Sequence, residues 1–221
     1  MLKLSFCLFF LIFSINTASS QNIITAARYL ESVSERFKEI TDLEANVIIR
    51  SGNSEMSGKI CYLASSNFII EISRPTEQII LFNGEMLTIY SADLNAVLSQ
   101  EVTQNKRSPT SSINSQGLNL LIRNFVPSYL ISPHPVLLDP NSRENVIKLK
   151  LTSRFPLEGF KEIILSIDPN TKLIRRLEGQ TIANETVRFD FINSIVNQGI
   201  PVQRFIFNPP SLINVYDNFL F

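Results

Sequence analysis

Between residues 22 and 40, Ile23, Ala27, Leu30, Val33, Phe37 and Ile40 recur at spacings of three and four. Arg28, Glu31, Ser32, Glu35, Arg36 and Lys38 fill the opposite side. This period, with one apolar stripe, predicts an amphipathic helix whose stripe is used in core packing. From Leu43 the period drops to two. Leu43, Ala45, Val47 and Ile49 alternate with Glu44, Asn46, Ile48 and Arg50 up to the turn Ser51-Gly52-Asn53-Ser54, the mark of a strand. Further strands are expected over 55–64, 67–73, 76–82, 85–91 and 95–101. A long polar connection follows over 103–116, then a short helix marked by Leu118, Leu121, Ile122 and Phe125 and ended near Pro127. Residues 131–136 read as irregular. Strands resume over 145–152, 160–167, 172–180, 185–193 and 202–207, with Asp168-Pro169-Asn170-Thr171 as a turn.

Asn83-Gly84 is the best hairpin signal, because a type I′ turn needs positive φ at both central residues. A two-residue loop there pairs Phe82 with Glu85 and Ile80 with Leu87. Ile80, Phe82, Leu87 and Ile89 then share one face. Phe68-Ile69-Ile70, Ile79-Ile80-Leu81-Phe82 and Ile163-Ile164-Leu165 do not alternate cleanly, so both faces of these strands must be covered. A long meander at this spacing predicts a curved antiparallel sheet or incomplete barrel. The first helix is expected on its concave side or edge.

Ahead of the helix lies a different pattern. Lys3 is the only charge before Arg28, Leu4 to Ile15 is almost wholly apolar, and Asn16-Thr17-Ala18-Ser19-Ser20 is small and polar. That is the layout of a secretory signal peptide, with Ala18 and Ser20 before an expected cut after Ser20. The apolar run is shorter than the roughly 20 residues that span a bilayer. Residues 21–221 are then expected to form a single domain.

Charge and chemistry narrow the function. The 20 basic residues balance the 20 acidic ones, so no surplus exists to neutralise phosphates and nucleic acid is not an expected partner. Once Cys7 leaves with the leader, Cys61 has no cysteine to pair with. The only histidine, His134, sits between Pro133 and Pro135, which supplies no triad and no metal-ligand cluster. Glycines are too scattered for a phosphate loop. No catalysis, metal or cofactor is expected.

Several segments together resemble the periplasmic outer-membrane lipoprotein carriers, the LolA-like family. They are the N-terminal amphipathic helix, Asp42-Leu43-Glu44-Ala45-Asn46, Gly58-Lys59-Ile60 leading to Asn67-Phe68, and the run from Arg74-Pro75 through Asn83-Gly84 to Tyr90. Near the C-terminus, Arg204-Phe205-Ile206-Phe207-Asn208-Pro209-Pro210 with Val215 is similar to the family's F-x-F-x-P-P ending. The resemblance implies a mostly β fold with some α: an unclosed antiparallel β-barrel, or strongly curved sheet, with an N-terminal helix and a short helical lid over a hydrophobic cavity. It implies a periplasmic, monomeric carrier that accepts acylated lipoproteins from an inner-membrane lipoprotein-releasing transporter complex and passes them to an outer-membrane acceptor. A free lipid or glycolipid carrier, or a lipoprotein-sensing regulatory module, would use the same scaffold. The family's lid-latching Arg-Pro is replaced here by Ala64-Ser65, and Thr88 stands where many members have Trp.

On this reading the acyl cavity is lined by Val47, Ile49, Ile60, Tyr62, Phe68, Ile70, Ile80, Phe82, Leu87 and Ile89. Phe68 matches the family's aromatic near the cavity mouth, and is also the candidate for partner contact.

Overall fold

The computed structural model describes residues 24–64, 67–102, 113–155 and 159–218. The expected signal peptide and its cleavage point lie outside these residues, as do Ser65 and the first part of the polar connection.

Helix α1 spans Ala26–Lys38. Thr25 caps it, its hydroxyl oxygen accepting from the Arg28 N–H at 3.3 Å. The buried stripe is Ala26, Tyr29, Leu30, Val33 and Phe37, with Ile40 just beyond. Ala26 and Tyr29 therefore take the place that the spacing assigned to Ala27, which is exposed.

The strands follow as β1 (Asp42–Ser51), β2 (Ser54–Leu63), β3 (Asn67–Arg74), β4 (Gln78–Asn83), β5 (Met86–Ser91) and β6 (Ala96–Glu101). Helix α2 (Ile113–Asn124) runs directly into β7 (Phe125–Tyr129). After it come β8 (Val136–Leu137), β9 (Asn145–Ser153), β10 (Phe160–Ile167), β11 (Ile174–Thr181) and β12 (Thr186–Val196). A short 3-10 turn, η1 (Val202–Phe205), precedes β13 (Asn214–Asp217). All pair into one sheet in the order β13-β6-β5-β4-β3-β2-β1-β12-β11-β10-β9-β7, with β8 also on β9. Only β13 with β6 is parallel. The end strands β13 and β7 do not pair with each other, so the sheet is strongly curved yet unclosed.

Irregularities in register fall between Glu44 and Asn46, Ser57 and Gly58, and Phe160 and Glu162. Such bulges bend a strand and raise its twist. At Gly58 the chains approach so closely that a Cβ would lie 1.9 Å from the Glu71 carbonyl oxygen. Only glycine fits there.

Three expectations change. The 202–207 segment is not a strand but the η1 turn and its extension, and β13 forms further on. Phe125 to Tyr129 is an edge strand despite Pro127, because an edge needs no donor on its open side. The hairpin turn is centred one residue later than expected. Phe82 pairs with Leu87 and Ile80 with Ile89, leaving Gly84-Glu85 central. Gly84 alone takes positive φ (96°), while the Asn83 side chain accepts from the N–H groups of Glu85 (3.1 Å) and Met86 (2.8 Å). Moving the turn by one residue on each arm preserves which side chains share a face.

Candidate functional site

Strand pairing places every candidate wall residue on one face, the inner one. Leu43, Tyr62, Phe68, Phe82, Leu87 and Gln100 form one row across neighbouring strands. Ala45, Ile60, Ile70, Ile80, Ile89 and Leu98 form the next. Val47 and Ile49 continue below, opposite Gly58 and Met56 on one side and Phe191 and Phe189 on the other. No aspartate, glutamate, lysine or arginine occupies these rows.

Burial along this face is graded. Val47, Ile49, Tyr62 and Phe82 are buried, whereas Ile60, Phe68, Ile70, Ile80, Leu87 and Ile89 are half-buried. Met56, Val187, Phe189 and Phe191 are half-buried too, and pack against Val47, Ile49 and Ile72. The Phe68 and Phe82 rings meet at 5.8 Å between centroids. The result is an apolar wall whose side chains keep part of their surface uncovered.

The helices take the other half of this face. Leu30, Val33 and Phe37 of α1, with Leu118 of α2, pack on Ile147, Leu149 and Leu151 of β9 and on Ile163, Leu165 and Ile167 of β10. Both ends of α1 are tied to the sheet side. Tyr129 Oη donates to the Ile24 carbonyl at 2.7 Å, the Lys172 ammonium lies 4.0 Å over the Tyr29 ring, and Asn197 Oδ1 accepts from the Thr41 N–H at 2.8 Å. Burial pushes the Tyr29 phenol up to about 12, so it stays neutral.

The outer face explains why the strands are apolar on both sides. Cys61, Ile69, Ile79, Leu81, Tyr90 and Val97 point outward and are covered by the chain's own C-terminal segment through Phe205, Phe207 and Ile213. The charges sit on this side as well. Lys59 Nζ donates to Glu44 at 2.8 Å and holds its carboxyl below the usual range. Arg204 NH1 donates to Glu71 at 2.8 Å. Asp190 gathers Arg176 (2.6 Å), Arg50 (2.8 Å) and Arg188 (2.9 Å). Asp139 binds Arg176 through both carboxylate oxygens, at 2.7 and 2.8 Å. These ion pairs lie on the outer face, beside its apolar cluster, and leave the inner wall rows without charge.

His134 lies in an exposed loop, where its N–H donates to Ser132 Oγ at 3.2 Å. Among the described residues no cluster of His, Cys, Asp and Glu is placed to hold a metal, and no helix is long and apolar enough to cross a membrane. Met56, Val187, Phe189 and Phe191 were not among the expected wall residues. Their alternation in β2 and β12 was visible, but only strand pairing puts them beside Val47 and Ile49: β1 with β2 for Met56, and β1 with β12 for Val187, Phe189 and Phe191.

Comparison with known proteins adds to this geometry. The family described as outer membrane lipoprotein carrier protein LolA matches residues 50–208. An outer-membrane lipoprotein carrier protein of Bordetella avium (strain 197N) is 25% identical over 160 residues, which are 72% of this chain and 70% of that one. An uncharacterized conserved protein from Thermus thermophilus has a similar structure, with a TM-score of 0.57 at 14% identity, over 85% of this chain and 98% of its own. A chain of the Pseudomonas aeruginosa MucA/MucB complex aligns over 83% of this chain and 61% of its own, with a TM-score of 0.54 at 11% identity. At these identities the structural likenesses speak for the fold alone.

Proposed function

Since this chain belongs to the outer membrane lipoprotein carrier family, we propose that it is a periplasmic carrier that shelters the acyl chains of lipoproteins between the inner and outer membranes. One observation carries the proposal: the half-buried, uncharged wall of Ile60, Phe68, Ile70, Ile80, Leu87 and Ile89 inside an unclosed sheet. Each methylene exposed to water costs about 0.8 kcal/mol, so a sixteen-carbon chain costs roughly 13 kcal/mol, and a multiply acylated protein several times that. Free diffusion between membranes fails at that magnitude. A wall without directed polar contacts offsets much of the cost and still lets go. In this reading the cargo arrives from an inner-membrane releasing transporter and leaves to an outer-membrane acceptor, and no bond is made or broken.

The test is the cargo itself. Mass spectrometry of the protein gently isolated from periplasm is expected to find acylated polypeptide bound. Finding only free phospholipid or glycolipid would replace this reading with a lipid carrier on the same scaffold. Depletion is expected to strand lipoproteins at the inner membrane, and unchanged sorting would count against transport.

A further inference from the structure

The strand ends that meet where β7 begins carry a second surface, unrelated to the inner wall. Phe155, just past β9, is 72% exposed, Ile182 in the β11–β12 turn is 53% exposed, and Val126 at the start of β7 is 47% exposed. Register holds these positions together. Phe125 pairs with Ser153, the Arg154 N–H donates to the Asn124 carbonyl at 2.9 Å, and Phe160 pairs with Thr181. Lys161 Nζ reaches Asn184 Oδ1 at 2.6 Å and ties the neighbouring turn in. Among the described residues of this rim (123–126, 153–155, 159–161 and 181–186), Arg123, Arg154 and Lys161 face one acid, Glu185. Neither Arg123 nor Arg154 has an ion-pair partner among the described residues.

We propose that this rim is a docking surface for an anionic lipid bilayer. Exposed Phe, Ile and Val side chains, with cations on long aliphatic stems in the same rim, suit the boundary between headgroups and acyl chains. The cations supply attraction that an uncharged apolar patch lacks, and that attraction is restricted to surfaces of opposite sign. Docking through the rim does not use the inner wall, so it stands whether the cargo is lipoprotein or lipid.

The chain contains no tryptophan, so a single one reports cleanly. Phe155→Trp is expected to shift its emission to the blue with vesicles containing phosphatidylglycerol, but not with pure phosphatidylcholine, and to lose the shift in high salt. In flotation, each of Arg123→Gln, Arg154→Gln and Lys161→Gln is expected to weaken vesicle binding by about fivefold. Ile131→Trp, at a position 64% exposed beyond the other end of β7, is expected to stay unshifted. The proposal is overturned if Phe155→Trp gives no shift with either vesicle, if Ile131→Trp shifts equally, or if the glutamine variants float like wild type. An Ile89→Glu background separates the two ideas. Docking is expected to persist there while acyl binding falls, and loss of docking with the wall would assign the vesicle signal to cargo uptake instead.

Discussion

Replacing Ile89 with glutamate tests the wall directly. Ile89 is half-buried and lies between Ile80 and Leu98. No cation occupies its row or the adjacent one, so a carboxylate placed there finds water only while the wall is uncovered. Cargo that covers it must either strip the charge of solvent or force it to take a proton. An ordinary glutamate titrates near pH 4.3, so protonating it at pH 7 costs about 3.7 kcal/mol, the cheaper route. Acyl binding should therefore weaken by about 500-fold at pH 7. The sign with pH follows. The deficit should shrink about tenfold for each pH unit of acidification and vanish near pH 4.3. Competition with a fluorescent diacylated peptide measures this, with circular dichroism confirming the fold. Thr88→Glu, on the outward side of the same strand, is the control for charge alone. Undiminished affinity in Ile89→Glu, a loss that ignores pH, or an equal loss in Thr88→Glu would each refute the argument.

Other outcomes follow from the rest of the structure. Gly58→Ala should lower stability by about 2 kcal/mol in urea unfolding, since its Cβ collides with the Glu71 carbonyl and backbone must shift. Asp190→Ala should cost about 1–3 kcal/mol in the same assay, because it removes one of the two carboxylates on Arg176, whose side chain is only 6% exposed, while Asp139 keeps its two bonds to the guanidinium. The Arg176 hydrogen bonds hold the Asp139 carboxyl down at about 2 from its ordinary 3.8. The stability it lends is thus full above pH 3.8 and lost as pH falls towards 2, which is the sign for a lowered carboxylate. As Asp139 is 45% exposed, solvent screening limits this to about 1 kcal/mol. Thermal melts of Asp139→Asn should lack that acid-side drop. The Cys61 thiol, fully buried and pushed up to about 11 by that burial, should resist alkylation at pH 8 until denaturant is added.

What could be read along the chain was local. Alternation is a property of the single strand, so Val47 and Ile49, or Ile80 and Phe82, were bound to point the same way whichever strands lay beside them. The helical period did the same for Leu30, Val33 and Phe37. Even with its centre one residue later than Asn83-Gly84 suggests, the hairpin keeps Ile80, Phe82, Leu87 and Ile89 together, because a shift of one residue on each arm leaves the parity of the pairing unchanged. Edge strand β7 was not legible, because Pro127 signals a break and nothing local says that its open side faces no partner. The C-terminal Phe205 and Phe207 look like strand alternation, yet they are plugs over the outer face.

What each face meets was settled by the assembled fold. The chain's own tail covers the outer side of β2–β6, α1 and α2 cover β9 and β10, and the inner side of β2–β6 keeps an uncharged surface only half covered. These assignments depend on pairings between residues far apart in the chain, such as Val47 with Phe191. Contacts of that kind are set by how the whole sheet bends and how far it closes. Local spacing carries no record of them.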